Sequence, residues 1–186
     1  MSTVLWNISG YYQYWLSIEP YMKNRYDYPG YSICKAVTHE FFAPANQATE
    51  GFINEVKALT SEYEKIKRLN THMCSRIYYD ANEHNGTNKV FTSDTPVGGA
   101  CGAFSENFHY LCQRAEIPCV KVRSETHAWD EVFIDGRWYV IDITANMISP
   151  PNYEVIFLED THPVYTDMYP RHTAFAKELL VAGGTK

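Results

Sequence analysis

Cys101 follows Gly98-Gly99-Ala100 and opens a stretch whose apolar residues Phe104, Phe108, Leu111 and Ala115 recur on one helical face. A thiol on the first turn of a helix meets free backbone N–H groups and the positive end of the helix dipole. Both favour the thiolate and therefore nucleophilic attack. The two glycines let a substrate approach the backbone closely, and the N–H of Cys101 can face a developing oxyanion. A nucleophilic cysteine needs a base, and the base needs a group that orients it. Two β-rich runs, Glu131 to Ile134 and Arg137 to Ile143, are separated by Asp135-Gly136, the pattern of a two-residue hairpin. Pairing Ile134 with Arg137 sets Trp129 opposite Asp142 and His127 opposite Thr144. His127 and Asp142 thereby become diagonal neighbours on one face, with Asp130 on the other. Thiol, imidazole and carboxylate in this arrangement are the parts of a nucleophilic triad for acyl transfer.

The competing residues read as structure. Cys112 lies mid-helix beside the apolar stripe and Cys119 follows Pro118 in a strand, so both are expected in the core. Cys34 and Cys74 have no partner pattern. His39, His72, His84, His162 and His172 fall in loops or at helix ends, and His109, two turns beyond Cys101, projects away from it. The acidic side chains Glu125, Asp130 and Glu131 near His127 are expected in solvent. Five cysteines cannot all pair and contain no CxxC. A disulfide framework, a metal ligand set and any other cofactor are therefore not expected.

The elements that must hold these residues follow from periodicity. Phe52, Val56, Leu59, Tyr63, Ile66, Met73 and Ile77 recur at helical spacing over residues 49–79, as one helix or as two joined near Thr60. A polar loop from Asp80 to Thr95 follows. The nucleophile helix runs from Cys101 to Ala115 and stops at Ile117-Pro118. A strand around Val120 and Val122, the hairpin, and a further strand from Val155 to Leu158 complete the core, with a short helix over Phe175 to Val181. Before residue 45, aromatic residues such as Trp6, Trp15 and Tyr31 are interrupted by turn signals, as in a layer of short elements packed on that core.

The chain has 186 residues, of which 45% are apolar and 20% charged, enough to bury a core in one domain and too apolar for a disordered chain. The domain is expected to span residues 1–186, with a core at about 49–158 and an aromatic-rich extension at 1–45. A formal net charge of −6 disfavours nucleic acid and anionic membranes as partners. No apolar run approaches a membrane span. Met1 to Tyr12 lacks the pattern of a secretory signal, which fits a cytoplasmic protein or the mature form of an exported one.

These residues also carry a resemblance. Gly98-Gly99-Ala100-Cys101-Gly102-Ala103-Phe104, with Phe108, Leu111 and Ile117-Pro118, resembles the nucleophile helix of the transglutaminase-like superfamily. His127-Ala128-Trp129-Asp130-Glu131-Val132 resembles its histidine motif, and Gly136 to Thr144 its aspartate motif. The likeness covers about Tyr63 to Leu158. It implies an α+β, papain-like fold in which Cys101 begins a helix packed against an antiparallel sheet bearing His127 and Asp142. Papain-type proteases carry a Gln shortly before the nucleophile, and none stands between Asp80 and Cys101. Transglutaminase-like enzymes can use an upstream aromatic residue instead, a place that Tyr78 or Tyr79 resembles. Trp129 and Gly99 are expected beside the substrate. The expected activity is acyl transfer from an amide or peptide bond of a protein or peptide substrate. Hydrolysis is favoured over Gln–Lys crosslinking, because a chain of this size leaves little room for a second recognition domain and shows no calcium loop. A non-catalytic binding module is the alternative from another class.

Overall fold

Ser61 divides the helical stretch in two. Its hydroxyl accepts a hydrogen bond from the N–H of Glu64 at 3.3 Å and so caps the start of a new helix. The computed structural model describes residues 14–21, 30–123, 126–147, 155 and 157–166. In chain order these form strands β1 (Tyr14–Tyr21) and β2 (Gly30–Thr38), a 3-10 turn (His39–Phe42), and helices α1 (Ala43–Ala58) and α2 (Glu62–Arg76). Strand β3 (Ile77–Tyr79), helix α3 (Thr87–Thr92), strand β4 (Val97–Gly99) and helix α4 (Cys101–Arg114) come next. Strands β5 (Cys119–Arg123), β6 (Ala128–Ile134) and β7 (Arg137–Ile141), the turn α5 (Ile143–Asn146), strand β8 (Leu158–Glu159) and the turn α6 (Pro163–Thr166) follow.

In the aromatic-rich N-terminal stretch, β1 and β2 pair as an antiparallel hairpin. Trp6 and the expected helix over Phe175 to Val181 lie outside the described residues.

The core forms around α4. It is buried on nearly every side, through Phe104, Phe108 and Leu111 on the expected stripe and through Ser105, Asn107, His109 and Tyr110 off it. The reason is its central place: α2 packs on one side of it, and β5 and β6 on another. α1 contributes Ala45, Ile53 and Val56, and α2 contributes Ile66, Leu69 and Met73, each at helical spacing. α4 ends on Glu116 at φ 60°, where the Ile117 N–H reaches the Cys112 carbonyl and the Glu116 N–H that of Gln113, a Schellman closure just before Pro118.

The sheet is antiparallel in the order β5-β6-β7-β8. Asp135 at φ 47° and Gly136 at φ 78° make the expected two-residue turn, with Ile134 paired to Arg137. The sheet is covered on both faces: Cys119, Val132, Ile134 and Ile141 belong to the core around α4, while Val120, Val122, Trp129 and Val140 pack with Tyr165 on the other. Two expectations need correction. Residues 77–79 leave the helix to form β3, which pairs in parallel with β4; Ile77-Tyr78-Tyr79 is a β-prone run. The loop after Asp80 contains α3, because Val90 and Phe91 bury themselves against α1.

Candidate active site

Cys101 is half-buried at the first position of α4. Ala100 precedes it in extended backbone without a side-chain cap, and the first turn holds no acidic residue. No side chain therefore competes for the positive end of the helix. Just upstream, residues 80–86 are fastened across β4. The Asp80 N–H donates to the Gly99 carbonyl at 3.0 Å, the Ala100 N–H to the Glu83 carbonyl at 2.9 Å, and the Asn85 amide to the Gly98 carbonyl at 2.7 Å. These bonds fix the backbone on which Cys101 begins.

Gly99, expected to face substrate, is instead a packing residue. A Cβ there would lie 2.7 Å from Ile77 Cδ1 and 2.8 Å from Ala103 Cβ, so its bare backbone lets β4 sit on β3 and α4. The protein itself fills the space that the sequence reserved for substrate.

His127 sits immediately before β6 with its side chain 25% exposed, and its Nε2 lies 2.7 Å from Asp142 Oδ2. The regular ladder ends one pair earlier, at Asp130 with Ile141. The contact is thus the diagonal continuation that the hairpin register implies. The hydrogen bond to Asp142 is the main cause that raises the imidazole pKa to about 9. Burial opposes the shift, while the Asp142 charge and a hydrogen bond with Cys101 add to it. Cys101, His127 and Asp142 are therefore linked in that order.

Asp142 has two structural duties. It caps α5 by accepting the Ala145 N–H on Oδ1 at 3.1 Å, which leaves Oδ2 for His127. Burial works against its charge, but the bonds from His127, the Ala145 N–H and Tyr165 hold its carboxyl below the ordinary value. Tyr165 Oη donates to Oδ2 at 2.9 Å. Sequence reasoning missed Tyr165, because it lies beyond both the hairpin and the recognised motifs.

Trp129 is 1% exposed and cannot line a substrate cleft. Its ring packs 6.0 Å from that of His127 and 5.2 Å from that of Tyr165, as a wall behind the pair. Asp130 and Glu131, expected in solvent, are buried at 1% and 0%. Asp130 points toward α4, and Glu131 Oε1 accepts the Trp129 indole N–H at 3.4 Å. Both strand faces are covered, so no position on β6 is solvated by default; Glu125 lies outside the described residues. Tyr78 and Tyr79 stand 47% and 57% exposed beside Gly98 and Gly99. His84 also borders the nucleophile turn: its ring lies 3.4 Å from where a Gly102 Cβ would be, and its Nε2 is 3.4 Å from Glu106.

No helix among the described residues is long and apolar enough to cross a membrane. The chain is similar to solved structures of low identity. A TGase matches at 21% identity and TM-score 0.46, with 61% of this chain and 35% of that one covered. The periplasmic domain of TgpA from Pseudomonas aeruginosa bound to ethylmercury matches at 18% and 0.45, covering 59% and 47%. A protein described as a cysteine protease from Cytophaga hutchinsonii matches at 16% and 0.43, covering 68% and 46%. The chain spans less than half the length of each. No curated protein matches it. The family model of the transglutaminase-like superfamily matches residues 50–143, from α1 to the residue after Asp142. With half of its length in that match, the chain belongs to the transglutaminase-like superfamily.

Proposed function

We propose that this protein is a thiol enzyme that transfers the acyl group of an amide or peptide bond through a thioester on Cys101. The observation that carries this reading is the 2.7 Å bond from His127 Nε2 to Asp142 Oδ2, with Cys101 hydrogen-bonded to the same imidazole. Attack requires the thiolate of Cys101 with the proton on His127. The thiolate attacks the carbonyl carbon, and negative charge develops on the carbonyl oxygen near the first-turn N–H groups of α4. A side chain from Tyr78 or Tyr79 can add a hydrogen bond there. His127 then gives its proton to the departing amine as the C–N bond breaks, leaving the acyl group on sulfur. In the second half, neutral His127 takes a proton from the acceptor, which attacks the thioester and releases Cys101. Asp142 holds the imidazole in one orientation and stabilises its charge throughout.

Hydrolysis is the favoured outcome, since water as acceptor needs no recognition surface of its own. The single domain carrying this chemistry spans residues 1–186, with its core at about 49–158 and the aromatic-rich residues 1–45 as an extension.

Iodoacetamide labelling of the full chain, with a Cys101→Ser control, tests the nucleophile. One thiol reacting much faster than the buried Cys74, Cys112 and Cys119, and lost in the control, supports the enzyme; uniformly slow labelling points to a binding module. Incubation with a Gln-containing protein, with and without an added amine, then separates the acceptors. Peptide cleavage or ammonia release without the amine supports hydrolysis, whereas amine incorporation identifies a crosslinking enzyme.

A further inference from the structure

His109, Cys119 and Asp130 meet between α4 and the sheet, each 1% exposed, with one donor atom from each within 4.8 Å of the others. They come from three different elements. Asp130 on β6 and Cys119 on β5 point to the α4 side of the sheet, and His109 projects from α4 two helical turns beyond Cys101, about 12 Å along the axis. The site is thus separate from the triad.

Hydrogen bonding accounts for only part of this cluster. His109 Nδ1 is 3.8 Å from Asp130 Oδ1, too long for a hydrogen bond, and has no other partner. Asp130 Oδ2 is likewise buried without a partner. Cys119 Sγ lies 3.7 Å from Asp130 Oδ1. A tetrahedral zinc ion with ordinary N, O and S bond lengths holds neighbouring donors roughly 3.3–3.7 Å apart. The 3.8 Å from His109 Nδ1 to Asp130 Oδ1 is nearer to donors sharing one ion than to a hydrogen-bonded pair.

The surroundings fit as well. The other ring nitrogen of His109, Nε2, lies 2.8 Å from the amide nitrogen of Gln113; turning that amide about brings its oxygen to accept the Nε2 proton, which leaves the Nδ1 lone pair facing the cluster. Cys112, one turn further along α4, hydrogen-bonds Cys119 but stands outside the group of mutually close donors. Imidazole and thiolate beside a single carboxylate select a borderline d-block dication over calcium or magnesium, which take oxygen ligands.

We infer that His109, Cys119 and Asp130 form a structural site for a divalent transition-metal ion of the zinc type. The ion fastens α4 to β5 and β6, the elements that set Cys101 against His127. Loading releases the Cys119 thiol proton to solvent and involves no redox change.

The test uses the full chain carrying Cys101→Ser, so that the proposed nucleophile adds no thiol ligand. The protein is purified without chelator and assayed for bound metal, then refolded with cobalt(II) alone. The expected results are about one equivalent of zinc-type metal and, with cobalt, a near-ultraviolet thiolate band and strong visible bands of tetrahedral geometry. The denaturation midpoint should also fall on adding EDTA. The bands should be lost on Cys119→Ser in protein that still folds by circular dichroism. Because the metal content and EDTA readouts use the intact ligand set, a variant that fails to fold does not decide the matter. Metal below about a tenth of an equivalent, with a midpoint indifferent to both zinc and EDTA, overturns the inference. So does a cobalt spectrum unchanged by Cys119→Ser.

Discussion

Tyr165 and Asp142 are joined by a 2.9 Å hydrogen bond to Oδ2, the same oxygen that holds His127 at 2.7 Å. One carboxylate oxygen thus answers to two donors, and the phenol moderates how strongly the carboxylate attracts the imidazole proton. Tyr165 acts through Asp142 and is a positioning residue.

Tyr165→Phe should therefore move the His127 titration upward by a few tenths of a unit, because an unshared Oδ2 is a more basic partner. Stability should fall by about 1 kcal/mol for the lost bond. NMR titration of the His127 ring, read with the alkaline limb of the activity profile, checks this. A titration that stays put would show that Tyr165 only packs.

Asp142→Asn keeps an α5 cap, since Asn caps nearly as well as Asp, and so isolates the pairing with His127. The imidazole should return from about 9 toward its ordinary value of about 6.5, and acyl transfer should drop roughly 10²–10⁴-fold. Linkage gives a second readout. His127 is raised in the folded state, so its stabilisation is complete below about pH 6.5 and is lost as pH rises through about 9. Denaturant titrations of the wild-type chain should show that alkaline loss, and those of Asp142→Asn should not.

His72 sits in an aromatic stack, 3.9 Å from the Phe52 ring centroid and 6.0 Å from that of Phe91. Burial, with Arg76 and Arg68 nearby, depresses its pKa to about 4. The folded state favours the neutral ring, so this contribution is present above about pH 6.5 and disappears as pH falls toward 4, by at most about 3 kcal/mol. His72→Phe should flatten the acid side of the stability profile between those limits. Chemical denaturation at several pH values measures it.

Gly99→Ala should destabilise the fold by about 1–3 kcal/mol, because the new methyl meets Ile77 and Ala103 in the core. Gly98→Ala should cost less, since the first atoms it meets are the movable end of the Glu83 side chain. The difference in denaturation midpoint between the two variants is the measurement. Equal costs would mean that β4 itself gives way.

Much of this arrangement was legible in residues alone. The Asp135-Gly136 turn sets the register, the register sets which strand residues share a face, and parity brings His127 to Asp142. The apolar stripe after Cys101 likewise marks α4. What escaped depends on what covers each surface. Alternation along β6 shows which way Asp130 and Glu131 point, but not that Tyr165 and its neighbours close one face while α4 closes the other. Trp129 looked like a cleft residue for the same reason. The break at β3 was hidden because Ile77 continues the helical spacing of α2. Gly99 carries a different lesson: a glycine before a nucleophile reads as room for substrate, and only the positions of Ile77 and Ala103 show that the room is taken.

The parallel pairing of β3 with β4 sends the chain through a crossover before it returns to Cys101. That crossover is pinned near its start by the bond from Asp80 to Gly99 and in its middle by the packing of α3 on α1. Its slack lies in the exposed Asp94-Thr95-Pro96. Extra chain inserted there adds little closure cost, about 0.6 kcal/mol for each doubling of the loop. The fold thus offers a point where chain can be added or exchanged while the backbone under Cys101 keeps its place.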